Sequence, residues 1–266
     1  MEQIIRGGLL KNLSGSPLPT SNVPFRTHLL GDRHYVPIYE FIHAIYSHFG
    51  ISIFEDLIVA LAEKNPGISV VKLSYKVGTE IGEKTYRCIE DIMDGLGVGI
   101  GKSDKIQELD RIRKSVGEAQ STKSITLKRA SIYLEMTTGD RVLIDIKVPK
   151  NHPDRRTARE FKRRLLRWAG VEMQKVADVE VHSFMAIPYN NSFTERYTTG
   201  VDVRDALDLE EELKVDGEFW DFLAGKPVHE DLLKAFLRVG MDFYLDLEKY
   251  FPDPDGHGPV ISIPSF

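Results

Sequence analysis

The chain has 266 residues, 42% of them hydrophobic and 9% aromatic, which is enough apolar matter for a buried core and too much for a disordered chain. Its single cysteine, Cys88, excludes an intrachain disulfide and a cysteine-rich zinc site, and no run approaches the ~20 apolar residues of a membrane span. The net charge of −5 does not advertise a nucleic-acid binder, yet it hides a basic segment from Asp145 to Arg167 and acidic ones at 202–221 and 242–255.

MEQIIRGGLLKNL lacks the apolar stretch and small-residue cleavage site of a secretory signal, so the expectation is a cytoplasmic protein with no membrane partner. From Pro37 to Glu63, apolar residues at three- and four-residue steps predict two helices broken at Gly50, the second opened by a Ser52/Glu55 capping box and ended before Asn65. SVVKLSYKV, within 68–77, is rich in β-branched residues between helical stretches, and strand and helix both stay open there. Tyr86, Ile89, Ile92, Met93 and Leu96 make a helical face closed by DGLGVGIGKS, and a polar helix follows around Lys105 to Val116.

The period then changes. Ser124–Met136, Arg141–Val148 and Asp178–Pro188 alternate or are dense in Val and Ile, which predicts strands, with TTGD as a hairpin turn between the first two. Arg155 to Ala169 reads as a basic helix with Ala158, Phe161, Leu165 and Trp168 in one apolar stripe, after an Asp154 cap. EFWDFLAG and HEDLLKAFLRVGMDFYLDLEKYF return to helix. One α/β domain over 1–266 is expected, with a helical part at 1–120, a sheet core and basic helix at 121–190, and a helical part at 191–266.

Residues two apart on a strand share a face, so Asp145 and Lys147 in VLIDIKVPKN point the same way. Hydrolysis of a phosphodiester uses a carboxylate to hold Mg²⁺ and a lysine to orient water or, as the neutral amine, to deprotonate it, and to stabilise phosphate charge. A three-residue loop Thr137–Gly139 would set Ser131 opposite Asp145, whereas a two-residue loop would set Ile132 there; pattern alone leaves both registers open. Asp-x-Lys also occurs as an ordinary edge pair. The basic helix beyond it, and Lys150 and Asn151 in KVPKNHPDRR, favour a phosphate site.

LIDIKVPKN, FKRRLLRWAG, FMAIPYNN and EFWDFLAGKPVHEDLLKAFLRVG, in that order and spacing, resemble the TdeIII/MjaII group of type II restriction endonucleases, with EFWDFLAG the most specific piece. The resemblance implies a PD-(D/E)xK restriction-endonuclease-like fold, a mixed central sheet flanked by helices. It also implies a Mg²⁺-dependent homodimer cutting double-stranded DNA at a short palindrome of the GGNCC kind, with a cognate DNA methyltransferase as functional partner. By position, Asp145 and Lys147 resemble the acid and lysine of the (D/E)xK element, the Ile146 carbonyl a further metal ligand, and Glu55 an extra acid from an early helix. Glu55 is equally readable as a helix-cap residue.

The departure is Ser131, in RASIYLEM, where the family pattern has an aspartate; a neutral hydroxyl is a poor substitute at Mg²⁺. Three explanations stand: Glu135 or Glu55 supplies the charge, the chain is an impaired DNA-binding variant, or the register differs. A repair nuclease that recognises DNA structure is a third functional reading. GLGVGIGKS fails the P-loop spacing, because Leu96 stands where a glycine is needed and a helix precedes it. Arg155, Arg156 and Arg159 are the favoured phosphate contacts. Asn190, Asn191, Arg196 and Arg204 are candidates for base reading, and equally for turn capping. Trp168 and Trp220 read as packing anchors.

Overall fold

Two short sequences, ASIYLEM and RVLIDI, joined by the TTGD turn, make the centre of the sheet. In a computed structural model, residues 1–15, 53–97, 102–117, 121–147, 155–176, 179–190 and 205–250 are described. They form helix α1 (Glu2–Gly15), α2 (Phe54–Ala62), strands β1 (Ile68–Tyr75) and β2 (Glu80–Gly82), α3 (Glu83–Gly97), α4 (Lys105–Val116), β3 (Thr122–Ser124), β4 (Ala130–Met136) and β5 (Arg141–Ile146). Next come α5 (Arg155–Lys175), β6 (Val181–Ile187), β7 (Leu213–Val215), α6 (Gly217–Ala224) and α7 (His229–Tyr250).

The five-stranded sheet has the order β1-β4-β5-β6-β7. β1, β4 and β5 pair antiparallel, while β5, β6 and β7 pair parallel, so the sheet is mixed and β5 is the strand at which direction changes. Consecutive parallel strands need a long crossover, and α5 supplies it between β5 and β6. The expected mixed sheet flanked by helices is therefore present, with seven helices among the described residues.

The three-residue loop holds. The Met136 amide donates to the Asp140 carbonyl at 2.8 Å, and Gly139 sits at φ 92°, a value that an L side chain rarely takes. The resulting register pairs Ile132 with Ile144 and Tyr133 with Leu143, which one residue further puts Ser131 opposite Asp145.

Three expectations change. The segment 68–77, open between helix and strand, contains β1, an edge strand whose β-branched residues suit the pleat. Ser124–Met136 is not one strand: β3 pairs with β2 in a separate two-stranded sheet, and only from Ala130 does the chain enter the main one. The basic helix runs six residues past Ala169 to Lys175, and within it Gly170 is a close-approach residue; a Cβ there would lie 3.1 Å from Thr85 and 3.3 Å from Ile89 of α3.

Two compact units make up the chain, Met1–Leu57 with Glu230–Phe266, and Ile58–His229. In the first, Arg238 bonds Glu2 across α7 and α1 at 2.8 Å, and Ile5, Leu9 and Val239 are buried. In the second, the β5 face carrying Arg141, Leu143 and Asp145 turns toward α5, with Leu143, Leu165 and Trp168 in one apolar core. On β6, Phe184 packs edge-on against Phe222 of α6, ring centroids 5.4 Å apart. Both tryptophans are anchors as expected, Trp168 bonding the Lys128 carbonyl and Trp220 that of Pro188. No described helix is long and apolar enough to cross a membrane.

Candidate active site

Asp145 is the penultimate residue of β5 and is 6% exposed. The chain stays extended beyond it, since the Lys147 amide donates to the Ala186 carbonyl of β6 at 2.8 Å. That extension brings the Lys147 ammonium to 3.4 Å from Asp145 Oδ2. The acid and lysine two apart in sequence thus meet at the end of a central strand, and Lys147 Nζ also lies 5.3 Å from the centroid of the Phe161 ring on α5.

A second cation reaches the same oxygen. Arg164, from the middle of α5, forms an ion pair with Asp145 Oδ2. Its guanidinium carbon stands 4.9 Å from the Phe161 ring centroid and 5.7 Å from that of Trp168, distances at which a cation is attracted to an aromatic face. Within the run Arg155 to Arg167, of which about half is expected to touch DNA and the rest to be solvated or salt-bridged, Arg164 is one of the salt-bridged members. The signal available was its spacing, three after Phe161 and four before Trp168, which sets it beside the apolar stripe.

Ser131 stands across the hairpin, its hydroxyl accepting the Ile146 amide at 3.1 Å. Ile146 itself carries the main-chain carbonyl proposed as a ligand. Glu55 stands half-buried in the first turn of α2, in the other unit. Glu135 accepts the Tyr133 hydroxyl at 3.3 Å and pairs in register with Arg141, four residues from Asp145.

As arranged, the described donors around Asp145 do not fit a divalent cation. They offer one carboxylate, and that carboxylate already has two cationic neighbours. No group of three histidine, cysteine, aspartate or glutamate side chains suited to a metal occurs among the described residues. Hard divalent cations require several anionic or carbonyl oxygens.

Much of the basic helix is engaged inside the protein. Arg163 and Arg167 both pair with Glu90 of α3, at 3.3 and 2.8 Å, and Arg159 donates to the Met93 carbonyl at 2.8 Å. Arg159 thus binds one main-chain carbonyl toward the C-terminal end of α3. Arg155 and Arg156 are exposed in the first turn of α5, Arg156 beside Glu160 at 3.3 Å. Asn190 is described and half-buried, whereas Lys150, Asn151, Asn191, Arg196 and Arg204 lie outside the described residues.

Lys162 is the member of that run with no sequence signal beyond its place between Ala158 and Leu165. It is fully buried and bonds Glu212 Oε2 at 2.6 Å and Ser103 at 2.8 Å, and it pairs with Glu108. Lys105 completes a buried quartet, 2.8 Å from Glu212 Oε1. Burial lowers Lys105 and raises Glu108. For Glu212, burial acts upward, but Lys105 and Lys162 outweigh it and hold the carboxyl below its ordinary range. This quartet ties α4 and α5 to the turn before β7.

A buried acid and a half-buried lysine thus share the end of a mixed sheet's central strand, which suits phosphodiester chemistry. No curated protein matches the chain. The family model described as "Type II restriction endonuclease, HinfI" matches residues 1–240 of the 266, from α1 through the sheet and into α7. The chain therefore belongs to the HinfI family of type II restriction endonucleases, which are site-specific deoxyribonucleases.

Proposed function

We propose that the chain cuts double-stranded DNA as a homodimer at a short palindromic site, with Asp145 and Lys147 at the scissile phosphate and residues 1–266 acting as one nuclease domain. The observation that carries this is the 3.4 Å approach of Lys147 to Asp145 at the end of β5. A two-fold site is read most simply by a two-fold protein, which supports the dimer.

In this reading Lys147 acts on the attacking water, either as an ammonium that orients it and stabilises charge on the phosphate or as a neutral amine that takes its proton. Enzymes of this kind typically depend on a metal. The proposed metal is Mg²⁺, and the proposed donors are Asp145, the Ile146 carbonyl and Glu55, a set that requires Asp145 to be released from Arg164. Arg155 and Arg156, exposed at the N-terminal end of α5, support phosphate contact there, where the helix dipole also favours an anion. Lys150 and Asn151 are proposed to join them, with Arg159 in a lesser part. Asn190, Asn191, Arg196 and Arg204 are proposed to read bases.

The resemblance to the TdeIII/MjaII group makes GGNCC the first sequence to test, while the HinfI family match names no site. A cytoplasmic setting beside a protecting DNA methyltransferase follows from the same reading. Plasmid digestion with Mg²⁺ and with EDTA, followed by sequencing of the ends, is the test. Discrete fragments with a common end sequence, absent in EDTA, support the proposal; degradation without a common sequence sinks it and favours a structure-recognising nuclease.

Ser131 motivates a second reading, a family member that binds DNA and cuts it poorly. Its hydroxyl brings no charge to Asp145. Tight specific binding without fragments would favour that reading.

A further inference from the structure

We propose that Arg164 is the resident counter-ion of Asp145, and that Arg164 and a divalent cation exclude one another at that carboxylate. The inference rests on the reading of Asp145 as the metal-holding acid.

The charge count comes first. Asp145 supplies one negative charge, and Lys147 and Arg164 supply two positive ones, both directed at Oδ2. With Asp145 6% exposed and the Arg164 side chain 11% exposed, water screens this pair little, while Lys147, 35% exposed, is screened more. A divalent cation approaching it meets a net positive field and a carboxylate oxygen already taken. Opposite, Ser131 adds no negative charge, and its hydroxyl is bonded to the Ile146 amide.

The hold on Arg164 is also incomplete. A guanidinium has five donors in a planar fork, suited to two parallel bonds with a carboxylate. Here Nη2 makes the contact with Asp145, while Nε is buried with no hydrogen-bond partner. The Phe161 and Trp168 rings support the group from α5. An arginine with a buried unsatisfied N–H gains by moving to a better acceptor, and a DNA phosphate is such an acceptor. Arg164 thus keeps Asp145 paired in the DNA-free protein, and a phosphate that took the guanidinium would free the carboxylate.

The test is calorimetric titration of Mn²⁺ into the DNA-free full chain, for wild type, Arg164→Gln, Arg164→Met and Asp145→Asn. Both Arg164 replacements keep part of the aliphatic stem and remove the guanidinium that lies over Phe161, and a cooperative melt confirms that they fold. They are expected to bind Mn²⁺ at least about tenfold more tightly than wild type, equivalent to about 1.4 kcal/mol, and Asp145→Asn is expected to lose this binding. Equal or weaker binding by a folded Arg164 variant, or no binding by any form, overturns the inference. Binding that needs Asp145 but ignores Arg164 overturns this inference alone, whereas binding kept by Asp145→Asn overturns the reading of Asp145 as well. Should neither Arg164 variant fold, phenylglyoxal modification of the wild-type chain, followed by peptide mass spectrometry, replaces them. Mn²⁺ is then expected to speed modification of Arg164 several-fold and leave Arg113 unchanged, and an unaltered Arg164 rate contradicts the exchange.

Discussion

The hydroxyl of Ser131 accepts a hydrogen bond from the main-chain amide of Ile146 at 3.1 Å, tying β4 to the residue between Asp145 and Lys147. The serine therefore has a local task, closing the end of the strand pair, although it stands where the resemblance calls for an acid. Replacing it by aspartate adds a carboxylate beside Asp145 and keeps an acceptor for that amide. Ser131→Asp is expected to raise single-turnover cleavage by at least about tenfold, on the scale where each 1.4 kcal/mol of barrier is a factor of ten. DNA affinity should change by no more than about twofold, because the exposed cations of α5 supply it separately. Unchanged cleavage would place the second acid elsewhere. Ser131→Ala tests the structural half, with an expected cost of about 1 kcal/mol in urea unfolding.

Lys147→Met removes the ammonium, which lies 5.3 Å from the Phe161 ring centroid, and keeps much of the aliphatic stem. The expected loss in cleavage rate is roughly a hundredfold to ten-thousandfold, the range for one general acid–base group. A gel-shift affinity close to wild type separates this from loss of binding. A rate within about twofold of wild type would remove Lys147 from the chemistry.

The parts of this site that could be read from sequence are those with a local period. Asp145 and Lys147 share a face by the two-residue repeat of a strand, and a Thr137–Gly139 loop offered the Ser131 register as one of two, which Gly139 at φ 92° and the strand pairing select. Ala158, Leu165 and Trp168 are buried as the helical spacing indicated. What escaped depends on pairing across distant sequence. Arg164 and Lys162 look like any other members of a basic run until Asp145, Glu108 and Glu212 are brought to them. β7, three residues long, has too few positions to show alternation, and α5 continues past Ala169 through Gly170, where it packs closely on Thr85 and Ile89.

Glu212 is fully buried between Lys105 and Lys162, so removing its charge strands two ammonium groups. Glu212→Gln is expected to cost about 3–5 kcal/mol in urea unfolding, the range for breaking a buried pair from one side. A loss under about 1 kcal/mol would show the quartet to be solvated like a surface pair.

The same carboxylate gives a pH dependence. Burial alone would raise Glu212, but Lys105 and Lys162 hold it below its ordinary 4.5. A depressed acid stabilises the fold fully above its unfolded value and loses that contribution as pH falls through its folded one. Glu108 opposes this: burial raises it above 4.5, so its contribution is present below 4.5 and lost as pH rises through the raised value. Urea midpoints measured downward from neutral pH should therefore fall below 4.5 in wild type, and fall less steeply in Glu212→Gln.

Arg156 and Arg159, three residues apart on α5, should behave differently. Arg155→Ala with Arg156→Ala is expected to weaken DNA binding across sequences and reduce the salt slope by about one for each lost phosphate contact. Arg159→Ala releases the Met93 carbonyl, and its main effect should appear in melting temperature. Equal loss of DNA affinity in both would return Arg159 to the DNA surface.

The central claim is that Asp145 belongs to a site that cuts DNA, and digestion of one supercoiled plasmid by wild type and by Asp145→Asn protein with Mg²⁺ tests it most directly. The account predicts a discrete fragment pattern for wild type and intact supercoiled DNA for the variant, with specific binding retained by both; the same fragments at the same rate from Asp145→Asn would contradict it.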